Sequence, residues 1–225
     1  MRGPPDRFEL VVFDWDGTLM DSQARIVACI QAAFRDLGRT PPSREAASNI
    51  IGLGLDEAMA VLWPEADAAQ RAAVGAQYRR HFLVANETPS ALFPGARAML
   101  ERLASEGYRL AVATGKSRVG LDRALGETGL GELFHGTRCA DETFSKPHPQ
   151  MLLELMDELG VAAGQTLMVG DTVYDLQMAL NARAHALAVC HGVHPPERLR
   201  GLGPLACLES LAEIPEWLAE RAHST

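Results

Sequence analysis

Phe13-Asp14-Trp15-Asp16-Gly17-Thr18-Leu19 follows directly on the apolar run Phe8-Glu9-Leu10-Val11-Val12. A nearly continuous apolar run of this kind marks a strand buried on both faces, as in a parallel sheet. Asp14 and Asp16 are two residues apart, so strand alternation sends both carboxylates to one side. Gly17-Thr18 then ends the strand in a turn and leaves the pair free at its C-terminal edge. In an open parallel sheet that edge is where ligands bind. Two carboxylates crowded there repel unless a cation or a shared proton offsets them. The segment therefore predicts a buried parallel strand with a metal-assisted site at its end.

Further out, Tyr108-Arg109-Leu110-Ala111-Val112-Ala113 repeats the pattern and runs into Thr114-Gly115-Lys116. Thr166-Leu167-Met168-Val169 repeats it again and runs into Gly170-Asp171. Residues 184–190 are a further candidate strand, and 136–139 a weaker one. Helix-like segments at 95–106, 118–127, 149–159 and 173–182 separate them. This alternation predicts an α/β fold with a doubly wound, Rossmann-like parallel sheet. Residues from about 22 to 88 break it. There Ile26, Ile30, Ala33, Phe34 and Leu37 fall at helical spacing, Val74, Tyr78 and Phe82 form a second stripe, and no strand-like run intervenes. Pro41-Pro42, Trp63-Pro64 and Pro94-Gly95 punctuate the region. The expected organisation is a core of residues 1–20 plus 89–225 with an all-helical cap at 21–88, the two stripes forming the cap's own core.

Composition narrows the class. The chain has 225 residues, 47% apolar and 22% charged, the balance of a soluble globular protein. A net charge of -8 gives no general attraction for nucleic acid or anionic membrane. Cys29, Cys139, Cys190 and Cys207 are far apart and form no CxxC pair, which points to reduced thiols. Residues 1–6 carry no apolar leader segment and no run is long enough to span a membrane, so the expected location is cytoplasmic. Monomer and homodimer are both open.

Polar residues gather at the predicted strand ends: Asp14 with Asp16, Thr114 with Gly115, Asp171 with Asp175, and Ser145-Lys146-Pro147-His148-Pro149 after the weak strand. Four clusters converging on one edge match the needs of phosphomonoester hydrolysis. Mg²⁺ is a hard cation that takes oxygen ligands, which Asp14, Asp171 and a backbone carbonyl can supply. One carboxylate can attack phosphorus while a second moves the proton. Lys146, the Thr114 hydroxyl and nearby N–H groups can hold the equatorial oxygens.

Asp14-Trp15-Asp16-Gly17-Thr18, Thr114-Gly115-Lys116, Lys146-Pro147-His148-Pro149 and Gly170-Asp171-Thr172-Val173-Tyr174-Asp175 resemble the four ordered motifs of the haloacid dehalogenase superfamily. The helical insert after the first motif is similar to the C1-capped, phosphoglycolate-phosphatase-like branch. The resemblance implies a nucleophile at Asp14, a general acid/base at Asp16 and phosphoryl binding by Thr114 and Lys146. It implies Mg²⁺ held by Asp14, the Asp16 carbonyl and Asp171, with Asp175 either joining through water or orienting Lys146. The implied partner is a small phosphorylated metabolite.

Trp15 is bulkier than the residue usual between the two aspartates, and alternation turns it into the core. Lys116 either touches substrate beside Gly115 or is an exposed helix-start lysine. The turn Ile51-Gly52-Leu53-Gly54 either offers N–H groups to substrate through Gly52 and Gly54 or simply joins two helices. His148 reads as structural, and His191 and His194 as loop residues. Arg25, Arg44, Arg79 and Arg80 are cap cations available for substrate choice. A β-phosphoglucomutase-like phosphomutase would use the same chemistry. A phosphorylatable receiver shares Asp, Thr, Lys and Mg²⁺ but has no helical insert.

Overall fold

The computed structural model describes residues 8–222, so the reading of residues 1–6 and the outer ends of the predicted core lie outside the described residues. β1 (Leu10–Phe13) is buried along its whole length. Its alternation serves two cores at once: Val11 and Phe13 join one apolar cluster, Leu10 and Val12 another. This is the two-sided burial that the apolar run predicts.

After β1 come β2 (Met20–Asp21), α1 (Gln23–Asp36), α2 (Arg44–Asn49), α3 (Leu55–Leu62), α4 (Ala68–Arg80), a π-helical turn at His81–Ala85, and β3 (Ala91–Leu92). The chain continues through α5 (Ala96–Ser105), β4 (Arg109–Thr114), α6 (Arg118–Thr128), β5 (Gly136–Cys139), α7 (Gln150–Leu159), β6 (Thr166–Gly170) and α8 (Val173–Asn181). It finishes with β7 (His185–Val189), α9 (Pro196–Arg200), β8 (Cys207–Leu208) and α10 (Ile214–Ala222).

Six strands form one parallel sheet in the order β5-β4-β1-β6-β7-β8. Phe13 is level with Val112 of β4 and Val169 of β6, so three strand ends emerge together. The chain leaves β1 for β4 on one side and later adds β6 on the other. That reversal opens a crevice at the C-terminal end of β1. Residues of α5, α6 and α10 cover one face, and those of α7, α8 and α9 the other. The edge strand β8 has no sequence signature, because two residues carry no measurable period.

The helical insert lies between β2 and β3, which pair antiparallel with Met20 opposite Leu92 and Asp21 opposite Ala91. The insert is thus tied at its base by a short two-stranded ribbon, which the sequence pattern does not predict. Ile26, Ile30, Ala33 and Phe34 of α1 pack with Ile50, Met59 and Val74 into a third apolar cluster, with Tyr78 and Phe82 against it. No helix among the described residues is long and apolar enough to cross a membrane.

Candidate active site

Asp14 stands one residue beyond β1, Asp171 one beyond β6, and Asp175 in the first turn of α8. All three are buried, with carboxylate oxygens within 4.8 Å of one another. Lys146 reaches them from the loop before α7, its Nζ 2.8 Å from Asp14 Oδ1 and 2.6 Å from Asp175 Oδ1. Three carboxylates and one ammonium leave two formal negative charges in a buried site. Burial pushes Asp14 well above the usual carboxylate range; Lys146 pulls against it, and the charges of Asp175 and Asp171 add to the rise. Asp171 is pushed up to about 7, first by burial and then by Asp175. Burial works against the Lys146 ammonium, but Asp14 and Asp175 more than offset it and hold its pKa above the ordinary value.

Asp14 Oδ1 accepts from the Trp15 N–H at 2.7 Å, whereas its Oδ2 is buried without a hydrogen-bond partner. An orphaned carboxylate oxygen is costly unless something electropositive meets it. The oxygen-only donor set and the excess of two negative charges fit one hard divalent cation. Asp171 is aimed by the Thr18 hydroxyl, which donates to Oδ1 at 2.7 Å, and by the Val193 N–H, which donates to Oδ2 at 2.8 Å. This packing requires Gly17: its φ is +86°, and a Cβ there would lie 2.3 Å from Asp171 Oδ2.

Asp175 is committed on both sides. Oδ1 takes the Lys146 ammonium, and Oδ2 accepts from the Thr172 N–H at 3.0 Å and the Thr172 hydroxyl at 2.7 Å. The Thr172 N–H contact, together with the Asp175 N–H donating to Thr172 Oγ at 3.4 Å, makes the capping box that starts α8. Helix initiation and lysine placement are therefore one arrangement.

Asp16 is nearly buried, and its Oδ1 receives the Ser22 hydroxyl at 2.5 Å and the Lys116 ammonium at 2.9 Å. Lys116 also lies 4.5 Å from the centre of the Phe82 ring in the insert. It is neither an exposed surface lysine nor free. Thr114 is fully buried at the end of β4, its hydroxyl accepting from the Lys116 N–H at 3.2 Å. A Cβ on Gly115 would sit 2.5 Å from the Leu53 carbonyl oxygen and 2.7 Å from that of Gly52, so core and insert backbones meet there directly. The Gly54 N–H donates to Ser145 Oγ at 2.7 Å, which docks the turn on the core and occupies that amide. Gly52 lines the cavity described below.

The model of haloacid dehalogenase-like hydrolases matches residues 11–189. The chain belongs to this family. It is 38% identical over 210 residues to a protein of Dickeya dadantii named "Probable phosphatase IndB", covering 91% of each chain. It is 32% identical to the phosphoglycolate phosphatase of Aliivibrio fischeri, covering 87% of this chain and 90% of that one. Among solved structures, a haloacid dehalogenase-like hydrolase from Bacteroides fragilis superposes with a TM-score of 0.87 at 23% identity, over 92% of this chain and all of that one. At that identity the likeness is one of fold.

In this hydrolase a cavity of about 170 Å³ separates the strand ends from the insert, and Asp14, Asp16, Gly115 and Lys116 line its core side. Ile26, Ile30, Tyr78 and Phe82, read from the sequence as cap core, line it from the insert as well as packing there. Of the four arginines, Arg79 reaches the cavity wall. Arg25 donates to the Phe82 carbonyl at 2.8 Å, Arg80 pairs with Asp36, and Arg44 is exposed on α2. His148 packs at a tilt against Phe144, and His194 accepts from the Val173 N–H at the start of α8, both structural roles. Trp15 is buried against Phe134, facing away from the site. Sequence reasoning passed over the parts played by Ser22, Ser145 and the Val193 N–H. Ser22 is a single buried hydroxyl without a motif, Ser145 stands in the polar cluster before α7 with no partner assigned from the sequence, and Val193 contributes only backbone.

Proposed function

We propose that the chain is a Mg²⁺-dependent phosphatase that hydrolyses a small phosphomonoester metabolite through an aspartyl-phosphate on Asp14. The observation that carries this reading is the buried Asp14–Asp171–Asp175–Lys146 group with an orphaned oxygen on Asp14. Asp14, the Asp16 carbonyl and Asp171 would hold Mg²⁺, which would supply positive charge to the phosphate oxygens. The Asp14 carboxylate attacks phosphorus in line with the leaving oxygen. Ser22 and Lys116 fix one oxygen of Asp16, leaving the other to protonate the leaving alkoxide and then to take a proton from water. Lys146 and the Thr114 hydroxyl hold the equatorial oxygens, with Asp175 orienting Lys146. The insert, residues 21–88, acts as a cap on the core of 1–20 plus 89–225 and excludes bulk water during transfer. Gly52, Gly115 and Lys116 form the seam against which substrate lies, while Gly54, expected from the sequence to join them, has its N–H taken by Ser145. The names of the curated relatives favour hydrolysis over phosphomutation.

Asp14→Asn tests the reading. It removes the nucleophilic charge with little change of shape, so Mg²⁺-dependent phosphate release should fall by about 10⁴-fold or more while the thermal transition persists. A folded variant that still releases phosphate normally would show that Asp14 is not the nucleophile. An isomeric sugar phosphate in place of inorganic phosphate would identify a mutase.

A further inference from the structure

We infer that the group esterified to phosphate in the substrate is an uncharged, largely apolar ring and not a second anion. This rests on the phosphatase reading and concerns the cavity on the insert side. There the wall is built from Ile26, Ile30, Met59, Tyr78 and Phe82. The rings of Tyr78 and Phe82 stack at 5.7 Å with 28° between their planes and give this wall two aromatic side chains.

Three cations lie near this wall. Lys116 is paired to Asp16 and seated over the Phe82 ring. Arg25 stands outside the cavity lining, 5.0 Å from the centre of the same ring, and donates to the Phe82 carbonyl, its Nε buried without a hydrogen-bond partner. Arg79 reaches the wall but is exposed, where water screens its charge. Asp56, Glu57 and Asp141 share the lining, so a carboxylate on the leaving group would meet like charge. Burial, and then the charge of Asp16, hold the Tyr78 phenol neutral far above its usual range, as expected of a wall of low polarity. Size sets a limit: the cavity of about 170 Å³ reaches Asp14 and holds the phosphoryl group as well as the group esterified to it, so that group is small.

Four esters with alkyl leaving groups of comparable acidity separate the possibilities: benzyl phosphate, ethyl phosphate, phosphoglycolate and glucose 6-phosphate, each assayed for phosphate release with Mg²⁺. Benzyl phosphate should show the highest kcat/KM, by about tenfold or more over each of the others. Phe82→Ala should narrow the benzyl-to-ethyl ratio by about fivefold or more. The ratio carries the test, because losing Phe82 also releases Lys116 and affects both rates. Preference for phosphoglycolate or glucose 6-phosphate, or an unchanged ratio in Phe82→Ala, overturns the inference and leaves the phosphatase reading standing. Failure to release phosphate from any of the four, or from acetyl phosphate, overturns both.

Discussion

Lys146 is shared between two carboxylates, and Asp14 and Asp175 divide its charge at 2.8 and 2.6 Å. In the proposed reaction only Asp14 meets phosphorus, so Asp175 acts through the lysine it holds. Asp175→Asn keeps the acceptor that Thr172 needs for the helix cap but removes a charge beside the ammonium. The expected result is a kcat/KM lower by about 10–100-fold, the usual range for a group that orients a catalytic one. Circular dichroism should show unchanged helix content. Wild-type kinetics in the variant would mean that Asp175 serves only to start α8. The motif spacing made both roles of Asp175 conceivable, but the sequence could not choose between them. The contact with Lys146 joins residues 29 apart, which no local spacing encodes.

At the scale of elements, the turn before α3 is docked on the core by a buried hydrogen bond, the Gly54 N–H donated to Ser145 Oγ at 2.7 Å, beside the Gly115 contact. Ser145→Ala would leave that N–H unsatisfied at a cost of about 1–3 kcal/mol. The strain should appear locally, as a loosened turn and first helical residues of α3. Hydrogen–deuterium exchange at Gly54 should therefore quicken by about tenfold or more, while β1 and β6 keep their protection. Unchanged exchange at Gly54 would show that the Gly115–Gly52 contact alone holds the turn. The strands of the core and the helices of the insert were legible because each follows a pattern: two-sided apolar runs for β1, β4 and β6, and 3.6-residue stripes for α1 and α4. The β2–β3 ribbon and β8 escaped because two-residue strands have no period. They exist through pairing with distant chain.

For the whole molecule, the excess buried negative charge ties stability to pH and to metal. The Asp171 carboxyl is raised from 3.8 to about 7, first by burial and then by Asp175. Its folded form keeps a proton that the unfolded chain has lost. This contribution to stability is therefore complete below pH 3.8 and is lost as the pH rises to 7. Mg²⁺ should replace the proton, so the rise in Tm on adding Mg²⁺ to chelator-treated protein should be large near about pH 8 and shrink near about pH 5. His194 runs the other way: burial first, then Arg198, lower its pKa from 6.5, and its contribution is lost as the pH falls below that value. It is common to both arms and cancels in the difference. Calorimetry with and without Mg²⁺ measures the shift directly, and equal shifts at both pH values would refute the linkage.

The sequence by itself determined the parallel sheet, the helical insert and the position of Asp14, Asp16, Thr114, Lys146, Asp171 and Asp175 at one sheet edge. Burial patterns and strand-end motifs are local properties, readable along the chain. The tertiary structure alone decided how those groups are shared: Lys146 between two aspartates, Asp16 between Ser22 and Lys116, and the insert's aromatic residues between packing and the cavity wall. Each of these depends on distances between residues far apart in the chain, which the sheet order and the docking of the insert fix and which no local pattern encodes.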